Sequence, residues 1–454
     1  MRIHFIAIGG AAMHQLAIAL NHNGHRISGS DDEIFDPALS NLKKHGLISD
    51  EYLWNPENIT SEIDLVILGM HARKDNPELI RAQQLGIEVL SFPEFVYRQS
   101  INKKRVVVGG SHGKTTITSM IMHVLKDCGL SFDYLVGSAI RGFDTMVSLT
   151  QENSVIVIEG DEYLSSCLDP RPKFHVYHAD IAVISGVEWD HINVYPHYDD
   201  YLNAFRVFAE MIPETGSLIY CSADEQLQGL MHTYEGSAHV VAYSEIPFIQ
   251  KDNQVCVLLG NTPIPVQVFG RHNMLNMSAA HQVCRLLGIA DESFFASIAG
   301  FRGAAKRLEM IHESDNLRMF RDFAHAPSKL KATVDAVRHR YPNDNLIAVF
   351  ELHTFSSMNP AFLAQYSNAL NLADFAAVYF SPHAFQLKKL KLFSKGEICN
   401  AFNRPDIAVL SSPAELFDFA EKHNQKRTTF LLMSSGNFDN INFEELVLGL
   451  RLIC

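Results

Sequence analysis

Short apolar runs alternate with longer amphipathic ones along the first hundred residues. Ile3 to Ile8 precedes Ala11 to Asn23, and Asp64 to Leu68 precedes Pro77 to Leu85, a rhythm that predicts parallel strands covered by helices. A linker-like stretch, Gln99 to Lys104, ends this block. Val106 to Val108 then runs into Gly-Gly-Ser-His-Gly-Lys-Thr-Thr at 109–116, after which Ile117, Met120, Ile121, Val124 and Leu125 recur at helical spacing. Further strands are predicted at Val155 to Ile158, Ile181 to Ile184 and Leu218 to Cys221, with an all-strand patch from about His239 to Phe269. After Arg307 the alternation restarts at Leu317 to Phe320 and continues through helices after Ser328, Pro360 and Pro413 to a closing helix. The pattern predicts an α/β protein of three domains, 1–104, 105–311 and 312–454, each with a mainly parallel sheet.

Composition narrows the function classes. The 454 residues carry 38 Lys and Arg against 51 Asp and Glu, a formal charge of −13, so there is no overall basic field for nucleic acid or anionic lipid. The excess acid is concentrated in 105–311, with 13 basic and 23 acidic side chains, which suggests metal ions accompanying any bound nucleotide. Seven scattered cysteines without a C-x-x-C pair argue against a disulfide framework and for the reducing cytoplasm. No apolar run approaches the roughly 20 residues of a membrane span. No protein partner is read from the chain.

The strongest chemical signal is the loop at 109–116. Its glycines allow backbone N–H groups to surround phosphate oxygens, the following helix offers its positive end, Lys114 reaches the outer phosphates, and the Thr115 hydroxyl suits Mg²⁺. It departs from G-x-x-x-x-G-K-[ST] because Val108 stands at the first glycine position. A second glycine turn, Gly9-Gly10, also joins a strand to a helix, with Asp31 following 22 residues after Gly9. This layout suits a nucleotide fold but lacks the full G-x-G-x-x-G fingerprint. Glu159, Asp161 and Glu162, and then Glu188, Asp190 and His191, follow strands at the end where open α/β sheets bind ligands. Asn273, at a helix start, is either a cap or an adenine contact. Arg307 is either linker charge or a phosphate clamp, and Asp322 and His325 are either turn chemistry or ligand contacts.

In this order, the Gly-Gly start, GGSHGKTT, IEGDE, EWDH, GRHNMLNMSAA, KRLE and DFAHAP resemble the Mur ligase superfamily, the ATP-dependent amide-forming enzymes of peptidoglycan assembly. The resemblance covers nearly the whole chain. It implies a Rossmann-like UDP-binding domain, a central P-loop ATPase domain and a Rossmann-like domain for the amino substrate. Residues Gly110, Ser111, His112, Gly113, Lys114, Thr115 and Thr116 would hold the ATP phosphates, Asn273 the adenine, Arg307 a phosphate and Asp322 the ribose. Thr115, Glu159 and His191 would ligate Mg²⁺, with Glu162 an acidic alternative to Glu159; Lys114, Glu159 and His191 would be catalytic. Gly9, Gly10 and Asp31 would meet the UDP part of the acceptor, and His325 the amino substrate. The place of a carbamylated lysine found in some relatives falls near Arg206, so none is expected.

Within the superfamily, IHFIAIGGAAM, SGSD and DNPEL resemble both the murein peptide ligase branch and its L-alanine-adding neighbour, and FRGAAKRLE and RDFAHAP are more similar to the first. The first branch joins UDP-N-acetylmuramate to the recycled tripeptide L-Ala-γ-D-Glu-meso-diaminopimelate. The stretch 351–358, ELHTFSSM, maps onto neither. In the implied reaction the acceptor carboxylate takes the γ-phosphoryl group of ATP, and the amine then displaces phosphate from the acyl phosphate. Arg307 and Asp322, on opposite sides of the second boundary, suggest closure of the third domain by ATP. Two other classes fit parts of the pattern: a dinucleotide-dependent oxidoreductase built on the first domain, and a nucleotide-gated binding module without catalysis.

Overall fold

The computed structural model describes residues 1–251, 254–388 and 390–451. The end of the expected third domain, including Cys454, lies outside the described residues. Among those described, three sheets are mainly parallel. The first has strand order Arg26–Ser30, Arg2–Ile6, Leu65–Leu68, Glu88–Ser91. The second runs His239–Tyr243, Ser217–Cys221, Ile181–Ile184, Lys104–Gly109, Val155–Glu159, Asp133–Leu135, Val147–Ser148, with only the last pair antiparallel. The third runs Glu309–Glu313, Leu317–Asp322, Thr428–Met433, Asn345–Glu351, Phe375–Tyr379, Ala408–Leu410, with its first pair antiparallel. The all-strand patch resolves into His239–Tyr243, which joins the second sheet, and a separate antiparallel sheet of Phe248–Lys251, Gln254–Leu259 and Thr262–Val266.

Local chemistry explains the elements. Strands covered on both faces read as unbroken apolar runs, as in Leu65–Leu68 and Ile181–Ile184, buried throughout; Thr428–Met433 is equally buried with two threonines at its start. Several helices start at proline in the first turn behind a polar cap, as at Asn76 before Pro77–Gln84 and Ser412 before Pro413–His423. Ser91 and Glu94 form a reciprocal capping box at Phe92–Gln99. Arg26–Ser30 and Glu309–Glu313 are missing from the sequence expectation because they lie at sheet edges, partly exposed and with polar residues interspersed.

The chain divides into two compact units. One comprises Met1–Val187, Tyr198–Ser244 and Asn276–Ala299; the other comprises Glu188–His197, Glu245–Leu275 and the chain from Gly300 onward. The first unit contains the first two sheets, and the second contains the antiparallel sheet and the third parallel one.

A polar knot holds the first sheet. Glu78, fully buried in Pro77–Gln84, accepts hydrogen bonds from His4 Nε2 at 3.2 Å, Asn55 N at 3.0 Å, Asn58 Nδ2 at 2.8 Å and the Ser30 hydroxyl. It thereby ties two strands and a loop to one helix. Burial works to raise the carboxyl's pKa, but the bonds from His4, Ser30 and Asn55 outweigh it and hold the value below the ordinary one. Glu78→Ala would strand several buried donors and should cost about 3 kcal/mol or more, seen as lost hydrogen-exchange protection in Arg2–Ile6 and Arg26–Ser30. Because the folded pKa is lowered, the carboxylate's contribution is present above its unfolded value and lost as pH falls through the folded one. Wild-type protection factors there should drop on acidification, and those of Glu78→Ala should not drop further from this source.

Candidate active site

Parallel register gathers the central chemistry. Val108, where a standard phosphate loop would have glycine, is the buried strand residue paired with Glu159, and Gly109 is paired with Ile184. The strand therefore continues through Val108 before the loop turns. Gly110 has φ +123° and Gly113 φ +69°, left-handed backbone suited to glycine. A Cβ on Gly110 would lie 2.7 Å from Ser185 N, and one on Gly113 would run into the Asn276 amide. Between these glycines, Ser111 N–H donates to Gly186 O at 2.9 Å, and the Ser111 hydroxyl and His112 Nδ1 lie 2.7 Å apart. The helix Lys114–Asp127 starts immediately after Gly113, with Thr115 and Thr116 buried in its first turn. Ser185 and Asn276, absent from the expected site, shape the loop from outside; Asn276 was visible one helical turn after Asn273, but its target was not.

Each carboxylate of 159–162 has its own partners. Glu159 accepts the Thr115 hydroxyl at 2.8 Å and Gly137 N–H at 2.8 Å. Asp161 pairs with Lys173 at 2.7 Å, and burial, which would raise its pKa, is outweighed by that ammonium. Glu162 pairs with Lys114 at 2.8 Å and accepts the Tyr201 hydroxyl at 3.3 Å. Lys114 also donates to Gly110 O at 2.6 Å. Burial disfavours the Lys114 ammonium, yet Glu162 beside it keeps the pKa above its ordinary value. Thr115 and Glu159 thus bring two hard oxygens together, a donor set that fits Mg²⁺. Arg206, on Tyr198–Glu210, is exposed.

At the N-terminal turn, Ala7 is left-handed at φ +66°, and its N–H and that of Ile8 both donate to Ser30 O. Gly9 N–H donates to Asp31 Oδ2 at 2.7 Å, and Ala11–His22 starts after Gly10. A Cβ on Gly9 would meet Asp31 Oδ2 at 2.9 Å and Ile34 at 3.0 Å. The glycine is thus required by close approach. Burial pushes the Asp31 carboxyl up to about 6 despite the Gly9 bond.

The remaining expected residues belong to the second unit. Asp190 Oδ1 accepts His191 N–H at 2.8 Å, while Oδ2 faces Lys329 Nζ at 3.3 Å, His325 Nε2 at 3.6 Å and His191 Nε2 at 4.0 Å. Burial alone would raise this carboxyl's pKa, but Lys329 and the imidazoles hold it well below the usual range. Lys329 was outside the expected site, and Asp190 entered it only as one acid of the EWDH segment, with no role assigned. Asn273 lies inside the first turn of Arg271–Leu286 rather than at its cap position, and its amide donates to Phe269 O at 2.8 Å. Arg307 stacks over Phe323 with its guanidinium 4.4 Å from the ring centre. Asp322 accepts Ala324 N–H at 2.8 Å, Leu308 N–H at 3.0 Å and the Thr333 hydroxyl at 3.2 Å. Burial raises its carboxyl to about 6, with nearby Arg307 opposing. Arg307 and Asp322 therefore share one unit, which removes the basis for domain closure drawn from that pair.

Beside Asp322 lies a cavity of about 260 Å³ whose lining includes Lys306, Arg321, Ser434, Asn437 and Phe438. Glu351, the start of the unassigned ELHTFSSM stretch, is buried and braces this wall by accepting Phe438 N–H at 3.0 Å and the Ser434 hydroxyl.

Three family descriptions match successive parts of the chain. Residues 2–103 match the description "Mur ligase family, catalytic domain", 108–284 "Mur ligase middle domain" and 306–436 "Mur ligase, glutamate ligase domain". The chain is 30% identical to a UDP-N-acetylmuramate–L-alanine ligase of Clostridium acetobutylicum, covering 89% of this chain and 88% of the relative. It is 28% identical to one of Carboxydothermus hydrogenoformans, with 98% and 96% covered. Among solved structures, a murein peptide ligase from Psychrobacter arcticus superposes with TM-score 0.67 at 23% identity, covering 100% of this chain and 99% of that one. The alanine ligase from Thermotoga maritima gives 0.71 at 21%, covering 100% and 98%. These two share the α/β fold expected from the sequence. The chain belongs to the Mur ligase family, whose members are ATP-dependent ligases that form amide bonds.

Proposed function

We propose that this ligase joins the carboxylate of UDP-N-acetylmuramate to the amine of L-alanine, in the cytoplasm, during peptidoglycan synthesis. The observation that carries the reading is the convergence of the glycine loop, Lys114 and the Thr115–Glu159 pair at one end of the central sheet. The relatives named as alanine ligases favour L-alanine. Gly9, Gly10 and Asp31 would receive the UDP group.

A carboxylate is a poor electrophile and must be activated. Its oxygen would attack the γ-phosphorus of ATP, giving an acyl phosphate and ADP; the amine nitrogen then adds to the carbonyl, loses a proton, and phosphate departs. Backbone N–H groups of 110–116 and the Lys114 ammonium would stabilise charge gathering on the phosphoryl oxygens. Mg²⁺, held by Thr115 and Glu159, would add positive charge there. His191 enters as a further ligand on the family resemblance. Asn273, Arg307 and Asp322 would serve adenine, phosphate and ribose.

A second reading keeps the same acceptor but takes the tripeptide L-Ala-γ-D-Glu-meso-diaminopimelate, as in peptidoglycan recycling. It is favoured by FRGAAKRLE and RDFAHAP and by the murein peptide ligase among the structural neighbours.

ADP release with UDP-N-acetylmuramate and Mg²⁺ should depend on L-alanine; dependence on the tripeptide alone would transfer the assignment to the second reading. Lys114→Ala should lower kcat about 100-fold or more. Gly113→Ala, which forces a side chain onto Asn276 at positive φ, should weaken ATP binding in calorimetry. An unchanged ATP affinity in that variant would mean that the loop does not hold the phosphates.

A further inference from the structure

Phe35 and Leu53, 68% and 64% exposed, are the most exposed large apolar side chains among the described residues. Both hang from backbone that brackets Asp31. Asp31 N–H donates to Tyr52 O at 2.9 Å, so Leu53 directly follows the residue that holds Asp31. Ile34, directly before Phe35, is buried and packs where a Cβ on Gly9 would lie. On its other side Phe35 is equally well anchored. Its carbonyl accepts Leu39 N–H at 3.1 Å, and Asp36 Oδ1 accepts Ser40 N–H at 3.0 Å and the Ser40 hydroxyl at 2.5 Å. The backbone is pinned while the ring is left in water.

The polar side chain at this rim is already engaged. Asp31 Oδ2 takes Gly9 N–H and Oδ1 takes Asp32 N–H at 3.0 Å. An aromatic face and an aliphatic side chain beside a glycine turn at a helix start offer different chemistry to the two halves of a nucleotide. The first-turn N–H groups of Ala11–His22 suit the diphosphate, and the ring suits a flat base.

We propose that Phe35 stacks on the uracil of the UDP substrate, with Leu53 as a second apolar contact at the same rim. This rests on the reading that the Gly9–Asp31 turn binds UDP. Stacking recognises the base through its π-face, so it contributes affinity without occupying Asp31, and aromatic substitution should preserve it.

Calorimetry on the full chain, with UDP and inorganic pyrophosphate as probes, tests this. Phe35→Ala should weaken UDP binding about tenfold or more, Phe35→Tyr should stay within about twofold of wild type, and neither should alter pyrophosphate binding. UDP affinity unchanged in Phe35→Ala would overturn the stacking role while leaving the UDP site intact. Equal loss for UDP and pyrophosphate would also overturn it, because the turn rather than the base contact would have changed. If wild type fails to bind UDP, the underlying assignment of the turn fails as well, a distinguishable result.

Discussion

The register between Lys104–Gly109 and its two neighbouring strands is the constraint on which the rest of the central site depends. Val108 pairs with Glu159 and Gly109 with Ile184, so residues some 50 to 75 positions apart finish at the same level. The phosphate-type loop, the acidic segment and Ser185 then meet without any long side chain having to search for a partner. The order of strand addition reverses at this strand, although all three run parallel: the sheet grows one way through Val155–Glu159 and the other through Ile181–Ile184. Open α/β sheets place their ligands at such a switch point. A slip of one residue would turn Glu159 to the opposite face and separate it from Thr115.

That alignment also sorts charge. Three carboxylates within four residues would repel one another if they shared one environment, but the turn after Glu159 sends them to different partners. Asp161 and Glu162 are each matched by a lysine, whereas Glu159 is held by neutral donors, the Thr115 hydroxyl and Gly137 N–H. The acidity of the middle segment is thus partly neutralised internally. In the proposed role Glu159 would face the cation, with the Thr115 oxygen beside it. This geometry supports Glu159 over Glu162 as the cation-facing acid, a choice that the sequence leaves open.

The α/β class and the strand–loop–helix around 109–116 were legible because buried parallel strands are continuous apolar runs and glycine marks the turn. The pairings of individual side chains were less accessible. Asn276 lies near Asn273 in sequence, but its contact with Gly113 depends on the packing of a helix more than 150 residues after the loop. Glu78 reads as an ordinary acid in a first helical turn, and only the fold reveals four donors converging on it. Likewise, 351–358 resists assignment by motif because Glu351 acts on backbone more than 80 residues away. Periodicity records which face is buried, not which distant loop comes to meet it.

His325 illustrates how geometry changes the meaning of a residue that sequence can only nominate. As a candidate for the amino substrate it would need a polar atom directed at the amine. In the second unit its Nδ1 meets Phe323 O at 2.8 Å, its Nε2 faces Asp190, and its carbonyl accepts the Tyr366 hydroxyl. Burial and the adjacent Lys329 lower its pKa despite Asp190. These contacts support a positioning role: His325 and Lys329 hold Asp190, whose other oxygen fixes His191 N–H in a left-handed turn at φ +57°. The DFAHAP segment therefore orients the EWDH segment from within the same unit. The two motifs belong together because one buried carboxylate, taken from water, requires several donors and cations at once.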